Sequence, residues 1–447
     1  MSLYNFILQS VILPIGNRFF GGSYLKYLKA WKQNDQKSED DLKQIQHKNL
    51  DDILRLAIDK VPYYKSLAIS TEDSPYDTLK SFPILTKDIL RNELNNLISV
   101  DYDIQDLDKN HSSGSSGQQS FTYMTKDHKF YLRALQTHWW NWSSYSIGDP
   151  ILQFGISQQR TFVKKLKDVF YRCFYVKAFG LSESELKTVS EKLTNSDINY
   201  IAGYPSVINQ IALSVKAHQL SPNVKGIVCF GDKLFDHHKV NMKDSFGEDL
   251  SLVDTYGCAE GLLMACKYDT PYYYIMSPHV HIEIVDDNGN AVEDGVMGNV
   301  LITCLTNEAM PLIRYKLGDL AIKLPKERYP DGRLLNYPLL QKIVGRETDV
   351  IKSKTGVVLN VHSFTGVMEY YENIKQYKVI QDSLEQITIQ YIVDANYDFD
   401  VKTLDDIKTK LDDLTKSGLH ILFEEVNQIA SSKSGKPQII ESNLPKV

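Results

Sequence analysis

Between about residues 110 and 340, short apolar runs alternate with helical patterns, and this alternation narrows the fold more than any other feature of the chain. Gly226 to Phe230, Leu250 to Tyr256 and Asn299 to Leu305 are such runs, strand-like in length and composition. Strands interleaved with helices specify an α/β class. Val280, Ile282 and Ile284 alternate toward Asp287-Asn288-Gly289, a turn sequence that implies an antiparallel hairpin in the same region. The sheet is therefore expected to be mixed.

The flanks differ. Leu50, Ile53, Leu54, Ala57, Ile58 and Val61 form one apolar helical stripe that Pro62 should end, and residues 1 to about 100 read as helical. After Gly345 the pattern becomes compact: strand-like Tyr377 to Gln381 and Gln386 to Val393, a helix carrying Leu404, Ile407, Leu411 and Leu414, and strand-like Ile421 to Val426. A chain of 447 residues exceeds what one core normally supports. The expected division is a large N-terminal domain, residues 1–344, and a small α+β domain, residues 345–447. No repeat of 20 to 50 residues suggests a solenoid or propeller.

Composition excludes several classes. With 43% hydrophobic and 24% charged residues the chain is ordinary globular material. Its net charge of −6, with both signs interspersed, offers no basic face for nucleic acid. Five cysteines without paired spacing suit free thiols and a cytoplasmic location. From Leu3 to Phe20 the sequence is apolar, but Asn5, Gln9, Ser10, Pro14, Asn17 and Arg18 break it short of a membrane span, and no basic segment with a cleavage site marks a signal peptide. A packed helix is expected there, with an amphipathic peripheral membrane contact as the alternative.

Four segments carry candidate chemistry. In His111 to Ser120, Ser113, Gly114, Ser115, Ser116 and Gly117 form a stretch whose backbone and hydroxyl donors suit an anion; a flexible linker is the competing reading, and the lysine of a Walker loop is missing. Asp254 to Gly261 follows an apolar strand. Open α/β sheets bind ligands at strand carboxyl ends, so Tyr256 and Gly257 could meet a base there and Glu260 a hard cation; core packing and an ordinary surface acid are the alternatives. In Met310 to Asp319, Gly318 permits a turn presenting Asp319, whose carboxylate suits two ribose hydroxyls or a local backbone cap. The fourth segment comprises Gly345-Arg346-Glu347-Thr348-Asp349 and Ser432 to Lys436, where a lysine beside glycine suits a transferring phosphoryl group, although most such lysines are merely solvated.

Taken in this order, the segments resemble the adenylate-forming superfamily of acyl-CoA synthetases, adenylation domains and luciferases. Within it, Val61-Pro62-Tyr63-Tyr64, Phe82 to Lys87, Gly203-Tyr204-Pro205-Ser206 and Met310 to Tyr315 resemble the branch of phenylacetate-coenzyme A ligases and CapK-related proteins of polysaccharide gene clusters. The resemblance implies a large domain of mixed sheets and helices and a small mobile domain turning about Gly345 to Thr348. It implies ATP, magnesium and coenzyme A, with a carboxylic acid as substrate. It places Ser113 to Gly117 on the ATP phosphates, Tyr256 against the adenine with Gly257 in the same nucleotide-binding segment, Gly231 and Asp232 flanking the adenine and the acyl group, and Glu260 on magnesium. Asp319 and Arg346 fall near the ribose, and Lys436 becomes the catalytic lysine. Gln119 stands where a proline is common in the phosphate loop, and Thr348 where many relatives carry an acid.

Trp139 and Trp142, with Tyr204 and Pro205, are candidates for the acyl pocket, core packing being the alternative for the tryptophans. Cys258, Cys266 and His279 suggest zinc only weakly, because no fourth ligand accompanies them, and zinc is not expected.

Overall fold

The computed structural model describes every residue except 1, 20–21, 113–119, 156–160, 179–180, 259, 347–349, 355–357, 369–370, 372, 395–398, 401, 416–417, 430–438 and 445–447. The segment before residue 100 is helical. Its longest helix, Glu39–Lys60, begins at a capping box in which the Ser38 side chain accepts from the Asp41 amide and the Asp41 side chain accepts from the Ser38 amide. This satisfies two donors that a helix start otherwise leaves unpaired. Leu50, Ile53, Leu54 and Ala57 are buried along it. Pro62 stops the helix and also opens the next, Pro62–Ser66, at a first-turn position where its missing N–H is not needed.

The central element is an 11-stranded mixed sheet. Ser251–Cys258, Gly226–Cys229, Tyr200–Gly203, Ile151–Gly155 and Cys173–Lys177 run parallel to one another, in that spatial order. On the other side of Ser251–Cys258 the sheet continues antiparallel through Leu262–Lys267, Tyr273–Ile275, Leu339–Arg346, Tyr315–Lys323, Met297–Cys304 and Val280–Val285. The hairpin expected around Asp287-Asn288-Gly289 is present: Val280–Val285 pairs with Met297–Cys304, and Gly289 takes the positive φ of +82° that the bend requires.

Three buried clusters hold this part together. One packs the helices of residues 50–97 under the antiparallel strands. A second gathers Trp31, Trp139, Trp140 and Trp142 against Tyr274 and Tyr337. The third wraps helices such as Pro205–Ala217 and Asp236–Phe246 on the parallel strands.

From Ile351 onward the chain closes a core of its own from Phe364, Val379, Ile387, Ile389, Ile407, Leu411, Ile421 and Ile440. Its four-stranded sheet has the order His420–Glu425, Gln386–Val393, Ile374–Gln381, Ile440–Ser442, covered by the helix Lys402–Thr415. This is the small α+β unit expected from the sequence. Gly345 and Arg346 still pair with Leu320 and Asp319 on the large sheet, so the expected junction falls on that sheet's last strand. Among the described residues no helix is long and apolar enough to cross a membrane.

Candidate functional site

Three neighbouring parallel strands end side by side, and each delivers one of the expected segments to the same edge. Tyr200–Gly203 leads into Tyr204 and Pro205, Gly226–Cys229 into Gly231 and Asp232, and Ser251–Cys258 carries Tyr256 and Gly257 and leads to Glu260. Strand carboxyl ends expose backbone and side chains that no ladder consumes, and ligands of open α/β sheets settle there.

Local packing shapes each corner. Gly231 adopts φ +86°, and a Cβ there would lie 2.3 Å from the Tyr204 ring. Only glycine lets that ring lie against the chain. The Ser206 hydroxyl donates to Asp232 at 2.5 Å. Tyr204 is pushed up to about 12 by burial and then by the Asp232 charge, so its phenol stays a neutral donor. Lys233 Nζ donates to the Val344 carbonyl at 2.8 Å, which ties this corner to the strand carrying Gly345 and Arg346.

The Tyr256 hydroxyl donates to Asp319 Oδ2 at 2.7 Å, so the two segments expected to meet a nucleoside are in direct contact. Gly318 does not sit in the expected turn: with φ +82° and open space where a Cβ would be, it lies inside the strand Tyr315–Lys323, where the pairing with Met297–Cys304 shifts register just before Asp319. Arg346 lies opposite Asp319 in the ladder. Gly257 sits at a register shift, and a Cβ there would meet the Leu262 carbonyl at 2.8 Å.

Glu260 is nearly buried and accepts from the Tyr315 hydroxyl at 3.0 Å. Its carbonyl accepts from Thr122 Oγ1 at 3.0 Å. Thr122 belongs to a hairpin of Asp108–Ser112 and Ser120–Met124, whose register ends at Ser112 and Ser120. Ser113, Gly114, Ser115, Ser116, Gly117 and Lys436 themselves lie outside the described residues. A hard cation fits Glu260 chemically, because magnesium is usually held by one or two carboxylates together with substrate phosphates rather than by an all-protein cage. Among the described residues no group of three or more His, Cys, Asp or Glu side chains is placed to hold a metal. Cys266 is instead directed to the Lys267 carbonyl and His279 to the Thr306 hydroxyl.

Trp139 and Trp142 are not brought to this edge. Trp139 donates to Met276 Sδ and Trp142 to Asp35 Oδ2, both inside the aromatic core. The Trp142 carbonyl accepts from Ser251, and the neighbouring Ser144 carbonyl accepts from Tyr200. Ser251 and Tyr200 are first residues of their strands, so this helix end lies at the opposite, amino edge.

Residues without an expected role join the site. Asp254, two positions before Tyr256 and hence on the same face of the strand, accepts from the Tyr273 hydroxyl at 2.5 Å and faces Lys267 across the ladder. Burial raises the Asp254 carboxyl and lowers the Lys267 ammonium, each partly opposed by the other's charge. Same-face spacing from Tyr256 was the available signal for Asp254; the contacts of Lys267 and Tyr273 come from pairing that local sequence does not encode.

The motifs that distinguish the branch interlock behind Glu260. The Tyr64 hydroxyl donates to the Pro311 carbonyl at 3.2 Å and accepts from the Ile313 amide at 3.3 Å. The Leu85 amide donates to the Arg314 carbonyl, and the Lys316 amide to the Leu85 carbonyl. Arg314, at φ +47°, donates to the Phe82 carbonyl at 3.1 Å and pairs with Glu283 at 3.2 Å. These contacts hold both neighbours of Tyr315 and so aim its hydroxyl.

Residues 350–443 match the CapK C-terminal domain family. The indoleacetate–lysine synthetase of Pseudomonas savastanoi is 31% identical over 137 residues, 30% of this chain and 32% of that protein. The phenylacetate-coenzyme A ligase of Pseudomonas putida is 31% identical over 133 residues, 28% of each chain. The matched stretches thus span about a third or less of these relatives. A crystal structure of 2-hydroxyisobutyryl-CoA ligase in the postadenylation state, in complex with R3-HIB-AMP, covers 92% of this chain and 91% of its own length with a TM-score of 0.71 at 14% identity, a likeness of fold. The large fold, the C-terminal family match and the ordered segments converge in likeness on the adenylate-forming superfamily and, within it, on the branch of phenylacetate-coenzyme A ligases and CapK-related proteins.

Proposed function

We propose that the chain activates a small carboxylic acid with ATP to an acyl-adenylate and then transfers the acyl group to coenzyme A. The observation that carries this reading is the convergence of Tyr256, Asp319 and Glu260 at one strand edge, with Tyr256 bonded directly to Asp319. In the first step a carboxylate oxygen attacks the α-phosphorus in line, the bond to the bridging oxygen breaks, and pyrophosphate leaves. Asp319 and Arg346 would hold the ribose, Tyr256, Gly257, Gly231 and Asp232 would frame the base, and Ser113 to Gly117 would hold the phosphates. Lys436 would neutralise charge at the α-phosphate. Magnesium held by Glu260 and the phosphates would supply further positive charge.

In the second step a thiol attacks the acyl carbon, AMP leaves with the electron pair of the broken carbon–oxygen bond, and the thiol proton passes to solvent. Residues 1–344 and 345–447 would act as two units, with the smaller rotating near Gly345 to withdraw Lys436. Gly345 has φ +130° with open space where a Cβ would be, a backbone conformation that suits glycine at a pivot. Tyr204 and Pro205 would border the acyl pocket. The likeness to a synthetase named for joining indoleacetate to lysine supports a second reading, in which the same adenylate passes to an amine or hydroxyl.

The test is pyrophosphate release from ATP and magnesium across aryl, alkyl and hydroxy acids, with and without coenzyme A. Acid-dependent release with a thioester formed only when coenzyme A is present supports the ligase. Release without thioester transfers the proposal to the amine or hydroxyl acceptor. No release by a preparation that also fails to bind ATP refutes adenylation. Lys436→Ala should abolish adenylate formation while sparing thioester formation from supplied acyl-adenylate.

A further inference from the structure

The N-terminal helical run, Leu3–Ile7, Leu8–Ile12 and Leu13–Phe19, is packed with its polarity reversed. Asn5 is buried and donates to Asp149 at 2.6 Å, and Gln9 donates to the Ile147 carbonyl at 2.8 Å and to Ser146 at 2.9 Å. Leu8 is buried with them, whereas Leu3, Phe6, Ile7, Val11 and Ile15 face outward. Amides anchor the helix and hydrocarbon faces the solvent, the opposite of an ordinary surface helix.

A second helix, Phe162–Phe170, repeats the arrangement. Phe162, Leu166, Val169 and Phe170 fall at i, i+4, i+7 and i+8, one face, and all are exposed, Phe162 to 80% and Val169 to 73%. The two segments touch: the Tyr4 hydroxyl donates to the Phe170 carbonyl at 2.7 Å, and the Arg172 guanidinium lies 5.8 Å from the Tyr4 ring. Two exposed apolar faces are thus brought next to each other by residues 166 apart in the chain.

Charge selects the occupant. Residues 3–19 and 162–174 contain Arg18, Lys164, Lys165, Lys167 and Arg172 but a single acid, Asp168, in a chain whose net charge is −6; Arg172 is paired with Asp197, so the three lysines of Phe162–Phe170 carry the argument. An apolar stripe flanked by lysines is the pattern of a helix lying in the plane of an anionic lipid surface, the hydrocarbon entering the acyl boundary and the ammonium groups reaching the headgroups. A two-fold dimer through this face would set the lysines of one copy against those of the other. We infer that the joint face of Leu3–Phe19 and Phe162–Phe170 docks the protein on anionic membrane. Its neighbour in the fold is the edge strand Cys173–Lys177 of the large sheet, which leaves the candidate site on other strands and does not depend on which acid is activated.

The test is co-sedimentation of the full chain with vesicles of phosphatidylcholine alone and of phosphatidylcholine with phosphatidylglycerol, at low and at 0.5 M salt. The expected result is partition onto the anionic vesicles, weakened by salt and at least about tenfold poorer on the neutral ones. Phe162→Ser with Val169→Ser, and separately Lys164→Glu with Lys165→Glu, change exposed side chains and should each reduce partition by about a hundredfold while ATP binding, reporting the fold, is retained. Failure of the unaltered protein to bind anionic vesicles overturns the inference, as does binding indifferent to both variants. Conversion of a dimer to a monomer by the Phe162 and Val169 changes, without vesicle binding, assigns the face to a second copy and equally overturns it.

Discussion

Removing the Asp319 carboxylate should cost far more nucleotide affinity than removing the hydroxyl that orients it. If Asp319 accepts from two ribose hydroxyls, each bond involves a charged acceptor and contributes about 1.5–3 kcal/mol. Asp319→Ala then weakens ATP binding by ~10²–10⁴-fold. Tyr256→Phe removes only the 2.7 Å bond from Tyr256 to Asp319. It leaves the ring in place and the carboxylate less constrained, a loss of about 1–1.5 kcal/mol or roughly tenfold. Because Tyr256 acts here through Asp319, the two effects should not multiply: in an Asp319→Ala background, Tyr256→Phe should change the dissociation constant by less than about twofold. Equilibrium binding of ATP by titration calorimetry serves as the assay, since it needs no knowledge of the acid. Affinity within about threefold of the unaltered protein for Asp319→Ala, or multiplicative losses in the double variant, would refute the assignment of the ribose to Asp319.

Two further outcomes follow from the surrounding structure. Arg314→Ala strands Glu283, whose carboxyl burial already pushes up against the opposing pull of Arg314, and also frees the Phe82 and Gly289 carbonyls; the expected loss is about 3–5 kcal/mol in urea unfolding, and a loss under about 1 kcal/mol would contradict the clamp. His128, held down to about 4 by burial, is neutral in the fold but protonates near its ordinary value when unfolded, so the unfolded state binds more protons between about pH 6.5 and 4 and stability must fall as pH drops through that window. Its share is about 3 kcal/mol, and His128→Phe should flatten the pH dependence of thermal unfolding; an unchanged slope would show that His128 is not its source.

Much of the fold was legible because its signals are local. The stripe of Leu50 to Val61, the alternation before Gly289 and the compact pattern after residue 345 each reflect one period matched to one element. The mixed character of the sheet followed from a single hairpin. What local periodicity does not carry is which elements meet. Asp254 and Lys267 share a ladder rung and Tyr273 reaches Asp254 from the next strand but one, a result of register across a turn. The tryptophans of residues 139 and 142 illustrate the converse. Their composition suits a pocket wall or a core equally, and only the placement of their helix end at the amino edge of the strands decides between these.

The branch motifs are linked to the candidate site through one residue, Tyr315. Val61 to Tyr64, Phe82 to Lys87 and Met310 to Tyr315 are separated by up to about 250 residues, yet their contacts are mutual: Tyr64 holds both the Pro311 carbonyl and the Ile313 amide, and Leu85 brackets the backbone at Arg314 and Lys316. Tyr315 is left fully buried with one polar atom, which must find a partner, and that partner is Glu260. Each motif is therefore constrained by the others and, through Tyr315, by the carboxylate. A hydroxyl aimed at Glu260 from a rigid clamp restrains the carboxylate before any ligand arrives, and pre-set geometry of this kind is what a site for a hard cation and phosphates requires. The inverted helices at Leu3–Phe19 and Phe162–Phe170 obey no such internal constraint. Among the described residues their apolar faces are exposed, and an exposed apolar surface flanked by lysines is what the inferred membrane contact would cover.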